Sequence, residues 1–181
     1  MLGRFFALAV VASLSSVALG ETPGYPSGSG LAARLLEAQN AERRALGLPA
    51  MEWDAGLEQA AGQYAGVLAR TGQWQHSEPA FRRGQGENLW MGTRGAFSAE
   101  QMIDGWLSER RNYRAGLFPN VSATGNWEDV GHYTQVIWSD TDRVGCAVRS
   151  SAQFDYLVCR YAQPGNVMGQ SVTAGRIAAL R

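Results

Sequence analysis

Net charge is missing from this chain, and with it one class of partner. Sixteen Lys and Arg residues balance sixteen Asp and Glu residues, so no overall field draws the protein onto nucleic acid or an anionic membrane surface. No nucleic-acid partner is expected. Long apolar runs are also missing after the first twenty residues, which leaves no segment for a stable membrane anchor. Several catalytic signatures are absent: there is no G-x-S-x-G elbow, no H-E-x-x-H helix, no Walker loop and no dinucleotide fingerprint. Gly84-Gln85-Gly86 is a fragment of a phosphate-binding pattern without the rest, and reads as a turn. No internal repeat is present.

Cysteine and histidine are scarce, with two of each. The context of the cysteines is set by the N-terminus. Arg4, the apolar run Phe5 to Leu14 and the small-residue site Ala18-Leu19-Gly20 form an export signal over residues 1–20. The apolar run is shorter than the ~20 residues a spanning helix needs. Cleavage would leave Glu21 first, and the mature product is expected to be secreted or periplasmic. In an exported chain Cys146 and Cys159 are expected to pair rather than remain as thiols. Residues 21–30 hold Pro23, Gly24, Pro26, Gly28 and Gly30, and read as a flexible leader. The folded domain is expected over residues 31–170, with residues 171–181 as a C-terminal tail.

Helical spacing runs from Leu31 to Leu46, with Arg34, Glu37, Arg43 and Arg44 placed on faces away from the apolar positions, and Gly47 as the stop. A second helix starts after Asp54 as N-cap and ends at Gly72; its alanines predict close packing against a neighbour. A third follows Ser98 and Gln101, which have capping-box spacing, and buries Met102, Ile103, Trp106 and Leu107, with Glu109 at the margin of that stripe. Between the second and third helices, one short strand is expected at Asn88 to Met91. Val144 to Arg149 and Phe154 to Tyr161 form a hairpin. A turn centred on Ala152 and Gln153 sets Cys146 opposite Cys159 and puts Val144, Cys146, Val148, Leu157, Cys159 and Tyr161 on one face. Helices followed by strands give an α+β class.

Four residues could carry chemistry: His76 in Gln75-His76-Ser77, His132 in Gly131-His132-Tyr133, Glu87 in Gly86-Glu87-Asn88-Leu89, and Glu109. Taken singly, each is more often a solvated or hydrogen-bonded residue than a ligand, and spacing does not bring them together. The six tryptophans could form a carbohydrate or aromatic-ligand platform, although core packing is the commoner role for most. Asn120-Val121-Ser122 is a sequon for glycosylation in a eukaryotic secretory pathway.

Two longer motifs change the weight of these residues. Gly131-His132-Tyr133-Thr134-Gln135-Val136-Ile137-Trp138 and the run Tyr156 to Val167 resemble the two signatures of the CAP superfamily, the cysteine-rich secretory, antigen five and pathogenesis-related proteins. The likeness extends upstream through Gln39-Asn40, Gly47-Leu48-Pro49, Trp53-Asp54, His76-Ser77 and Gly86 to Leu89. Gln163 and Gln39 depart from the usual pattern, and the run Phe118 to Asp129 looks like the bacterial branch. The resemblance implies an α-β-α sandwich with a central antiparallel sheet between helices. It also implies a cavity lined by His76, Glu87, Glu109 and His132. Imidazole nitrogen suits a divalent cation, zinc first, so His76 and His132 are the expected ligands, the alternative being a metal-free hydrogen-bonded cluster. The function it implies is an extracellular binding module for a small apolar ligand such as a lipid or sterol, a metal ion or a protein partner. The alternative is a metal-dependent hydrolase or protease using the same four residues.

Overall fold

In the computed structural model the described residues are 29–174. The export signal, most of the leader and residues 175–181 of the tail lie outside them. Helix α1, Ser29–Ala45, takes in the last two residues expected of the leader. Its inner stripe is Leu35, Gln39 and Arg43, one residue every helical turn, and all three are fully buried. Arg43 therefore does not lie on an outer face, as its charge suggested. Helix α2, Ala55–Thr71, has the expected ends: Asp54 accepts from Leu57 N at 2.9 Å, and Gly72 closes it in the left-handed region at φ 67°. Helix α4, Ala99–Leu107, starts with the expected capping box, Ser98 N to Gln101 Oε1 at 2.8 Å and Gln101 N to Ser98 Oγ at 3.3 Å. Ala99, Met102, Ile103 and Trp106 are its buried positions, whereas Leu107, expected among them, is half-buried at the end of the helix.

The sheet contains β1 (Glu52–Trp53), β2 (Gly86–Thr93), β3 (Arg143–Ser150) and β4 (Phe154–Ala162) in the order β1-β3-β4-β2. The hairpin β3–β4 has the expected register, with Cys146 opposite Cys159 and Val144 opposite Tyr161. The sheet is not wholly antiparallel, however. Strand β1 pairs parallel to β3, because α2 and much of the chain lie between them and form the long crossover such a pair requires. The expected face, Val144, Cys146, Val148, Leu157, Cys159 and Tyr161, packs in a core with residues of α1 and α4. The opposite face presents Leu89, Ala147, Tyr156 and Val158 to Ala61, Ala65 and Leu68 of α2. Small residues on both sides bring α2 close: a Cβ on Gly145 of β3 would collide with the backbone of Asp54 and Glu58. The result is the α-β-α sandwich.

Three short helical segments were not legible in the sequence: α3 (Pro79–Arg82), the 3-10 turn Ser108–Asn112, and the 3-10 turn Trp127–Val130 that runs into α5 (Gly131–Val136). Glu109 consequently lies in the turn after α4, not on the helix itself. Packing also continues past Gln170. Val172 and Thr173 are buried, and Ser139 N donates to Val172 O at 2.8 Å.

Cys146 and Cys159 are joined as a disulfide across β3 and β4. Closing a loop of that size removes conformational freedom from the unfolded chain, worth about 3 kcal/mol. Reduced protein should therefore unfold at lower urea than oxidised protein. An unchanged midpoint, with breakage of the bond confirmed by thiol titration, would count against that contribution.

Candidate functional site

The four expected residues come together as two His–Glu pairs on one side of the sheet. The first pair is built on strand register. Glu87 of β2 lies opposite Arg160 of β4, and Arg160 Nη2 reaches Glu87 Oε2 at 2.9 Å. The His76-Ser77 dipeptide is fastened to the same carboxylate: Ser77 N donates to Oε1 at 2.9 Å and Ser77 Oγ to Oε2 at 2.8 Å. His76 Nδ1 lies 2.7 Å from Oε1. The Glu87 side chain is fully buried. Burial alone would raise its pKa, but the hydrogen bond from His76, the Arg160 charge and the two donors of Ser77 outweigh it, and the net shift is downward. Glu87 is a buried carboxylate held in its charged form.

The second pair is built on a helix start. The first N–H groups of a helix have no partner within it, and in α5 two of them are taken up by a side chain from elsewhere in the chain. His132 N and Tyr133 N each donate to Glu109 Oε2 at 3.0 Å. The other oxygen, Glu109 Oε1, lies 2.6 Å from His132 Nδ1. Asn88 of β2 ties the two halves together by donating to His132 O at 3.0 Å. The indole of Trp106 lies nearly parallel to the His132 ring, with centroids 6.1 Å apart and planes at 13°. Trp106 is itself fixed by its Nε1 bond to Leu89 O.

His76, Glu87 and His132 line a common cavity of about 600 Å³. Glu109 is not part of the wall; it supports His132 from behind. The same tautomer follows for both imidazoles. A carboxylate accepts, so Nδ1 carries a proton, and in the neutral imidazole Nε2 keeps its lone pair. Among the described residues neither Nε2 is hydrogen-bonded. Neutral imidazoles oriented by carboxylates at Nδ1 are the donor arrangement of a metal-binding histidine. No group of three or more His, Cys, Asp or Glu that could hold a metal occurs among the described residues, so a cation here would have two protein ligands and open positions.

Sequence reading missed Ser77, Asn88 and Arg160. Arg160 was legible only as a strand residue, and its pairing with Glu87 depends on β2 lying beside β4, which no local pattern reveals.

Comparison with known proteins fits this architecture. Residues 36–161 match the CAP family, the cysteine-rich secretory protein family. The chain belongs to that family. A PR-1-type pathogenesis-related protein of Sambucus nigra is 34% identical over 137 residues, covering 75% of this chain and 77% of that protein. The secreted protein RBT4 of Candida albicans is 31% identical over 170 residues, covering 90% of this chain but 44% of its own length. The crystal structure of NaASP2 with Zn2+ superposes with TM-score 0.67 at 27% identity, covering 83% of this chain and 90% of that one. The relatives named here are plant and fungal, so the expectation of a specifically bacterial CAP branch is corrected: it rested on one loop run, Phe118 to Asp129, whereas these matches extend over most of the domain. Among the described residues of this CAP domain, no helix is long and apolar enough to cross a membrane.

Proposed function

We propose that this CAP domain is an exported, non-enzymatic binding module that holds a divalent cation, zinc first, through Nε2 of His76 and His132. The observation that carries the reading is the matched use of Nδ1 on Glu87 and Glu109, which leaves a lone pair on each Nε2 beside a common cavity. The crystal structure of NaASP2 with Zn2+ supports the choice of metal. Secretion or release to a periplasm is supported by RBT4, a secreted protein, and by the export signal in the sequence. Two imidazoles are an incomplete set for zinc, so binding is weak, and the open positions leave room for a ligand.

The two histidines are not equivalent. Glu87 shares its charge with Arg160, whereas Glu109 has backbone N–H groups and His132 as its partners. The His132 side chain is 32% exposed against 51% for His76. His132 is thus the better-fixed ligand with the less neutralised carboxylate behind it. Calorimetric zinc titration should show a larger loss in His132→Ala than in His76→Ala, and no binding in the double variant. Imidazole must be neutral to ligate, so zinc affinity should be weaker in acid than at neutral pH. Unchanged zinc affinity in a folded double variant would reject the site.

A small apolar ligand such as a lipid or sterol, or an extracellular protein, is the other occupant proposed for the cavity. Mass spectrometry of lipids carried by natively purified protein tests the first, and a lipid-free protein that binds none from a sterol and fatty-acid panel ends that version. The hydrolase reading is weaker. A general base needs a carboxylate free to take a proton from water, yet each glutamate already accepts three or more protein hydrogen bonds.

A further inference from the structure

Most polar side chains in the wall of the cavity are already engaged. Gln135 is held between Thr141 and Gly165, and Asn166 between Thr134 and Gly131. Apart from the two histidine Nε2 atoms, four groups in the same wall are not: one is Gln85, whose Oε1 is buried without a hydrogen-bond partner among the described residues. Arg82 at the end of α3 and Glu128 make no side-chain hydrogen bond or ion pair among the described residues, and the Trp127 indole N–H has no acceptor there. Trp127 is half-buried and fixed. Its ring meets Phe118 at 5.1 Å between centroids in an edge-to-face contact, and it lies over Gly131, where a Cβ would come within 3.1 Å of it. Met168 joins this wall through the neighbouring Gly169 N bond to Phe118 O and is 64% exposed.

The wall therefore combines an anchored indole, an exposed thioether, an uncommitted guanidinium and an uncommitted carboxylate. An acyl chain or sterol laid across it would remove Arg82 and Glu128 from water and give them no partner. A ligand of strong charge of either sign would meet one favourable and one unfavourable group. A neutral polyhydroxylated chain meets neither obstacle. Its C–H faces pack on an aromatic plane, and each hydroxyl both accepts from a guanidinium and donates to a carboxylate. Arg82 and the Trp127-Glu128 pair stand on separate segments around one cavity of about 600 Å³, which suits a chain of sugars better than a single ring.

We propose that the Trp127 wall of this cavity is a subsite for a neutral oligosaccharide, with Trp127 as the stacking surface and Arg82 and Glu128 as the hydroxyl contacts. The subsite stands beside the cation reading and does not rest on it.

The test uses chitin and β-glucan hexasaccharides as probes, with calorimetry for affinity and saturation-transfer NMR for contact. At least one hexasaccharide is expected to bind. Trp127→Ala should weaken binding about tenfold, the size of a lost aromatic contact. Glu128→Ala, an exposed substitution that keeps the fold, should weaken it roughly threefold or more. The His76→Ala/His132→Ala variant should lose zinc yet keep the sugar, and Trp127→Ala should weaken the sugar yet keep zinc, so the two readings fail separately. Absence of binding to both hexasaccharides at millimolar concentration overturns the proposal. So does affinity that is unchanged in Glu128→Ala and Trp127→Ala, or binding confined to sulfated sugars or to an unstructured peptide of similar length.

Discussion

Replacing Glu87 by alanine should lower the unfolding free energy by about 3–5 kcal/mol, the usual result of leaving a buried charge without its partner. That is a large part of the 5–15 kcal/mol that typically holds a domain together. The charge left behind belongs to Arg160, which is 2% exposed and whose Nε and Nη1 already lack hydrogen-bond partners among the described residues. Its other neighbours are Ser77 Oγ at 3.0 Å and the Tyr64 ring, 5.6 Å from the guanidinium carbon. Neither neutralises a cation. Removing both charges together should be milder, so Glu87→Gln/Arg160→Met is expected to recover much of the loss. The pH dependence has a definite sign. The folded pKa of Glu87 is lowered, so its stabilisation is fully present above the unfolded carboxylate value near ~4.3 and is lost as pH falls through the folded value. Urea unfolding at neutral and acid pH measures both effects. A Glu87→Ala protein within about 1 kcal/mol of wild type would show that Arg160 is not held by this carboxylate.

The parts of the fold that were legible are those decided by neighbours in the chain. Asp54 caps α2 and Ser98 boxes α4 because an oxygen meets an N–H a few residues on. The hairpin register followed because a short turn fixes which residues face each other, and that register alone set Cys146 opposite Cys159. Strand β1 is two residues long and α5 six, too short for any periodicity to appear. The His–Glu pairs were a different case. Each depends on contacts between segments: Glu87 needs β4 beside β2, and Glu109 needs the start of α5 to turn its N–H groups towards the end of α4. Only the resemblance to the family brought the four residues together, three of them in the cavity wall and Glu109 behind His132. What neither route supplied was the buried polar stripe of α1. Spacing rules sort arginine and glutamine to the outside, yet Gln39 bonds the Tyr161 hydroxyl at 2.8 Å and Arg43 lies fully inside. The groups that call for them are carbonyls and hydroxyls that become neighbours only in the folded domain.

Arg43 supplies the second large expected effect. Among the described residues its guanidinium has no carboxylate partner and is instead a hub of hydrogen bonds: Nε to Pro49 O at 2.7 Å, Nη1 to Val136 O at 2.9 Å and Trp138 O at 2.7 Å, and Nη2 to Thr141 O at 2.8 Å. Burial pushes its pKa down to about 10, with Tyr161 opposing the shift, so the group remains charged at neutral pH. The carbonyls of Val136 and Trp138 belong to the C-terminal end of α5 and the turn after it, where a helix has no internal donors left. Arg43 thus closes one end of α5 while Glu109 closes the other, where His132 sits. An Arg43→Ala change leaves the buried Val136 and Thr141 carbonyls without this donor, each worth roughly 1–3 kcal/mol, takes one of two donors from Trp138 O, which keeps its bond from Thr141 N, and opens a cavity in the core. Allowing for partial relaxation, the loss should reach about 4 kcal/mol or more. Lysine keeps the charge, but its single ammonium cannot span carbonyls on opposite sides of the guanidinium fork. Arg43→Lys should therefore fall well below wild type in urea unfolding and, because α5 is loosened, bind zinc more weakly than wild type wherever it remains folded. An Arg43→Lys protein matching wild type in both measurements would mean that positive charge alone, and not the planar set of donors, holds the end of α5.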